Sequence, residues 1–166
     1  MPMYLPVNDL RAQLEAQLPP LERASALSEA YLENLTWFVM VVDRQQIMEE
    51  LLPTIYKKSA TSSEMKKAPT DVHELALAFI VFACGAAADL TQKPNNAEGE
   101  RYFQLARAAL SLQPVLARAS LASVQTIALM GAFGLFSYRQ SNLEEAWKTI
   151  SVALSISGSV RVVFSL

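Results

Sequence analysis

Apolar positions recur every three or four residues along most of this chain, which is the spacing of helices rather than strands. Leu10, Leu14 and Leu18 fall four apart around the segment 8–17, and the Pro19-Pro20 pair limits that segment to a short helix. A second helix opens after those prolines, with Pro20 tolerated in a first turn and Leu27, Tyr31, Leu35 and Phe38 stacked along one core face. The run Trp37 to Val42 is unbroken apolar sequence, readable as a helix end or as a short extended stretch. Asp43 followed by Gln46 has capping-box spacing, and Ile47, Leu51 and Ile55 then recur at four. Pro53 is expected to end or kink that helix near Leu52.

Residues 57–69, KKSATSSEMKKAP, carry little apolar content and read as an exposed loop. Asp71 and Glu74 have capping-box spacing and open a helix from Val72 to about Leu90. Its interior is apolar nearly all round, which predicts a buried central helix. A turn at Lys93 to Asn96 precedes a helix over 97–112, predicted to bury Phe103, Ala106 and Leu110 with Tyr102 and Leu105 flanking, and Pro114 stops it. Ser120 is the predicted cap of the next helix, where Leu121, Val124, Ala128, Gly131, Leu135 and Tyr138 alternate steps of three and four. The small residues Ala128 and Gly131 suggest a close helix crossing there. Ser141 and Glu144 form a further capping box before a stripe of Leu143, Trp147, Ile150 and Leu154. The tail 157–166, with VRVVF, has no helical stripe and is expected to be irregular. The pattern therefore predicts an all-α fold, an irregular bundle of about six to seven helices packed as successive antiparallel hairpins.

Composition narrows the function classes. At 166 residues, with 52% hydrophobic residues and mean hydropathy of +0.20, the chain is long enough for one domain and rich in apolar side chains to bury. Fourteen basic against sixteen acidic residues leave a net charge of −2, too weak a positive field to hold a duplex through phosphate contacts. The single cysteine, Cys84, excludes an internal disulfide and a cysteine-rich zinc site, as suits a reducing compartment. The apolar stretches 75–88 and 121–136 fall short of the ~18 residues that a membrane span needs, so no membrane association is expected.

Candidate chemistry is sparse. His73 beside Glu74 is the one histidine-acid neighbour pair, but adjacent helical residues point about 100° apart, and a surface histidine near a helix start is the plainer reading. Cys84, within AFIVFACGAAA, reads as a buried inert thiol. The pairs Glu49-Glu50 and Glu144-Glu145 read as solvated helix faces. Gly131 and Gly134 sit mid-helix, so they form no phosphate-cradling loop. Lys57-Lys58 and Lys66-Lys67 flank the polar loop, a pattern shared by import signals and by ordinary solvated loops. No catalytic, cofactor, metal or DNA-binding residue is assigned, and no enzyme activity is expected.

Four segments carry a resemblance. They are AYLENLTWFVMVVDRQQIMEELLPTIY (30–56), PTDVHELALAFIVFACGAAADL (69–90), YFQLARAALSLQPVLARASLASVQTIALM (102–130) and NLEEAWKTISVALSI (142–156), the last with its Ala146-Trp147 pair. From about Pro20 to Ile156 the chain resembles the middle homology region, or fungal-specific transcription factor domain, of zinc binuclear cluster transcription factors. The resemblance implies a nuclear, non-catalytic regulatory role in transcription, with protein partners or the rest of such a factor as its contacts. In the family, zinc and DNA are bound by an amino-terminal six-cysteine cluster, which has no counterpart on these residues. The family pattern also continues past the position of Ile156, so the resemblance implies a domain truncated at both ends: a segment 1–19, a partial domain 20–156 and the tail 157–166. Apolar faces of the helices from Ser120 onward would then lack partners and favour self-association. A helical-repeat interaction scaffold without a DNA-linked role is the rival expectation.

Overall fold

The computed structural model describes residues 6–37, 40–60, 71–93, 95–115, 117–136, 148–149 and 151–156. Among them the fold is all-α: α1 (Val7–Glu15), α2 (Leu21–Asn34), a π-helical turn (Gln46–Leu51) that runs into α3 (Leu52–Ala60), α4 (Val72–Ala88), α5 (Ala97–Leu112) and α6 (Leu121–Phe136). Residues 151–156 are also helical. No membrane-length apolar helix occurs among the described residues.

Helix α4 is the axis of the bundle. Fourteen of its seventeen residues are buried, so no face is left for water, and α2, α5 and α6 pack around it. Asp71 caps it by accepting the His73 N–H at 3.0 Å. Against α5 the contact is antiparallel: Gly99 lies beside Ala83 and Ala86, the Tyr102 ring between Phe79 and Phe82, and Ala109 beside Val72 and Ala76. The short connection is made possible by Asn95, which takes a positive φ of 56°, and Asn96, which accepts the Gly99 N–H at 2.8 Å and donates to the Ala86 carbonyl at 2.7 Å.

Helix α6 returns antiparallel to α5, with Phe103 stacked on Phe133 at 4.8 Å. It therefore runs alongside α4, where the Cys84 thiol meets the Leu129 carbonyl at 3.8 Å. Helix α2 crosses α4 so closely that a Cβ built on Gly85 would stand 2.0 Å from the Leu27 carbonyl oxygen. Only a residue without a side chain fits there. A close crossing thus sits at Gly85 on α4.

Several side chains face differently from the expectations. In α5 the buried stripe is Gly99, Tyr102, Ala106 and Ala109, with Phe103 and Leu110 only half-buried, because α4 approaches about 100° round the helix from the side favoured by the larger residues. In α6 Leu121 is 61% exposed, while Thr126, Leu129 and Phe133 turn to the core. The half-buried Val124 and Ala128 meet Ile127, Ala153 and Ile156 in a satellite cluster, so part of the face expected to lack partners is covered. Leu154 is on the opposite side of its helix and 68% exposed.

The helical run continues through Pro53, but its register changes where a disturbance near Leu52 is expected: the π turn ends at Leu51 and α3 begins at Leu52, which places Pro53 in the first turn of the new register. Ile47, Leu51, Leu52 and Ile55 remain buried through the change. Residues 57–60 belong to α3, which shortens the expected exposed loop 57–69 at its start. The remainder of that loop, Lys66-Lys67, Phe38, Tyr138, the Ser141–Glu144 box, Leu143, Trp147, Ile150 and the tail 157–166 lie outside the described residues.

Candidate functional site

The most concentrated polar chemistry inside this apolar bundle lies where the start of α4, the end of α5 and the start of α6 converge. His73, the second residue of α4, is 1% exposed, which corrects the expectation of a surface histidine. The correction has a plain cause: a helix buried on every side buries its polar residues too. The His73 Nδ1 lies 2.8 Å from the Ser120 Oγ and its Nε2 3.4 Å from the Gln113 carbonyl. A carbonyl only accepts, so Nε2 carries the proton and Nδ1 accepts from the Ser120 hydroxyl.

Ser120 is at the same time the cap of α6. Its Oγ accepts the Ser123 N–H at 3.1 Å, and the Ser120 N–H is returned to the Ser123 Oγ at 2.9 Å, a reciprocal capping box with serine in the usual glutamate position. The Ser123 hydroxyl donates onward to the Ser120 carbonyl at 2.7 Å. A serine hydroxyl on a histidine nitrogen is the opening geometry of nucleophilic catalysis. Here the histidine's second nitrogen meets a backbone carbonyl rather than a carboxylate, and His73 itself is 1% exposed. The arrangement clamps three helix ends together.

A second polar contact ties the π turn to α6. Gln46 donates to the Gln125 Oε1 at 2.8 Å, Gln125 donates back to the Gln46 Oε1 at 2.9 Å, and Gln125 also reaches the Val41 carbonyl at 3.1 Å. The backbone N–H of Gln46 is held by the Asp43 carboxylate at 2.7 Å, so Asp43 caps as expected. The Gln46 side chain, expected to complete that box, is spent on α6 instead. Gln125 carried no sequence signal beyond breaking an apolar stretch.

At the opposite end of α4 an ion cluster joins α2 to the α4–α5 turn. Arg23 donates to both Glu98 carboxylate oxygens, at 3.0 and 2.6 Å, and Gln92 bridges Asp89 and Glu98. The bidentate arginine bond holds the Glu98 carboxyl below its ordinary range and raises Arg23. Bonds from Thr91 lower Asp89 in the same way. On the surface, Arg44 grips Glu29 with both nitrogens. Burial pushes the Cys84 thiol up to about 12, as befits an inert thiol, and raises the Tyr31 hydroxyl to about 12. No group of three or more metal-ligating side chains occurs among the described residues. All buried side-chain polar atoms described have hydrogen-bond partners.

Two of the surface hollows are lined by described residues. One, of about 370 Å³, runs between α1 and α5 and is lined chiefly by Leu10, Leu14, Leu105 and Leu112. The other, of about 260 Å³, lies at the α4–α5 turn against Phe133. Neither contains His73, Ser120 or Cys84. The class of protein that fold and site define is an all-α bundle whose interior polar groups join helices. Comparison with family models, curated proteins and solved structures finds no match to the chain.

Proposed function

We propose that this chain is a regulatory, non-catalytic region of a fungal zinc-cluster transcription factor, acting in the nucleus on DNA-templated transcription through protein contacts. The observation that carries the reading is the segment Tyr102 to Met130, where the resemblance is strongest. It forms α5, the Pro114 turn and α6, and packs Tyr102, Ala106 and Leu129 into the common core around α4. The resemblance therefore follows a packing pattern, in keeping with a domain whose role is to present surfaces. DNA and zinc would be bound by a cysteine cluster elsewhere in such a factor, and the weak net charge of −2 agrees with a protein-directed surface.

The rival scaffold reading has less support. In a helical-repeat array each repeat touches only its neighbours. Here α4 is shared by α2, α5 and α6, the arrangement of a bundle with one centre. The test is to fuse the full chain between a heterologous DNA-binding module and an activation segment, and to read a reporter gene in a fungal host. The expected result is reporter output changed several-fold by the chain and restored by Phe82→Ala, which disrupts the core. Output indifferent to the chain, with the fusion present at equal level in the nucleus, overturns the proposal.

A further inference from the structure

Helix α1 differs from every other helix of the bundle in how it is held. None of its residues is fully buried, and its contact with the rest of the protein runs along α5. Leu14 on α1 and Leu18 just beyond it touch the core clusters, both only partly buried. One exposed hydrogen bond, Arg101 to the Gln17 Oε1 at 2.7 Å, closes the far side. The hollow of about 370 Å³ between the two helices means that their facing side chains do not interlock.

The chain leaves α1 through Pro19-Pro20, and the point of exit is fixed. The Tyr56 hydroxyl donates to the Pro19 carbonyl at 2.5 Å, and Pro20 sets the first turn of α2. Whatever motion α1 makes therefore stops at Pro19 and is not passed into α2. Beneath α1 lies apolar surface: Leu14 covers a small cluster of Val72, Ala76 and Ala109, flanked by Leu110 and Leu112. That cluster joins the first turns of α4 to the last turns of α5, next to the clamp made by His73 and Ser120.

We propose that α1 is a detachable strap, which lifts as one unit about Pro19 and uncovers this apolar strip while the bundle behind it stays folded. A short helix held at its edge has a low opening free energy, whereas the central helix opens only with the whole fold. Lifting as a unit differs from fraying. Leu14 lies near the end of α1 that is nearer the hinge, so losing its contact frees every turn before it.

Hydrogen exchange of the full chain, read by mass spectrometry or NMR, tests the proposal. The amides of residues 11–15 should share one protection level, at least ~100-fold below that of α4, and that level should fall in step in low denaturant, less steeply than that of α4 because less surface is uncovered. Arg101→Ala should lower the protection of α1 and change that of α4 by no more than the same factor. Tyr56→Phe, which frees the Pro19 carbonyl, should extend the opening into the first turn of α2. Protection that rises steadily from Val7 towards Pro19 means fraying and overturns the proposal; so does protection of α1 equal to that of α4.

Discussion

Helices α1 and α4 are both apolar enough to be helical by pattern, yet they are held in opposite ways. In α4 every face meets another helix, its polar residues are recruited into bonds with neighbours, and a glycine lets a backbone cross in direct contact. In α1 one row of leucines lies along α5 and against the start of α4, and no residue is fully buried. The difference teaches that a leucine at every fourth position suffices to form a helix, but fixing that helix requires contact on more than one side. Stability and adaptability are thus separated along the chain, with the first turns of α4 forming the meeting point between them.

The largest effects should follow changes inside α4. Phe82→Ala removes a ring that packs edge-on against Tyr102 at 5.8 Å and should cost about 4 kcal/mol, a large share of a typical domain's stability, measured by urea unfolding. Gly85→Ala should cost about 3 kcal/mol, because the added carbon would meet the Leu27 backbone rather than a side chain able to move. A loss near zero in either variant would mean that α4 does not lie at the centre. Ser120→Ala comes next: it removes the α6 cap and leaves His73 without its partner, with an expected loss of about 2 kcal/mol.

A smaller effect is expected from acid. Glu98 has a folded-state pKa below its ordinary value of 4.5, so its stabilising contribution is complete above 4.5 and is lost as pH falls through the depressed value. Stability measured from about pH 6 to about pH 3 should therefore decline, and Arg23→Gln should flatten the part of the decline due to Glu98. An unchanged acid limb in that variant would mean that the ion pair contributes nothing in solution. The smallest effect belongs to α1, where Leu14→Ala should cost about 1 kcal/mol, read as a loss of protection of about fivefold in α4, whose amides exchange through global unfolding.

Much of this contrast is legible in the residues themselves. The all-round apolar pattern of 72–88 marks α4 as central, and Asn96, Pro114 and Ser120 bound α5 and α6 as expected. Other features escaped because they depend on which neighbour arrives at which face. The larger side chains Phe103 and Leu110 suggested one buried stripe for α5, whereas the close approach of α4 selected the smaller Ala106 and Ala109. His73 is polar and near a helix start, which suggests exposure, although its place on a helix buried all round already argued otherwise. Gly85 lies in a run of small residues, CGAAA, and that run was the available signal for the crossing. The Gln46–Gln125 pair spans 79 positions, and pattern along a chain does not reveal a partner at that distance. The polar clusters, unlike the helices, are products of tertiary packing.

The account rests on α4 being inaccessible unless the whole bundle unfolds, and the single cysteine reports on that directly. The Cys84 thiol is 1% exposed, against the Leu129 carbonyl, and burial raises its pKa to about 12. The native protein should react with an aromatic disulfide reagent no faster than global unfolding exposes the thiol, reaching the global unfolding rate as a ceiling at high reagent concentration. Reaction faster than that ceiling under native conditions would contradict a buried central helix.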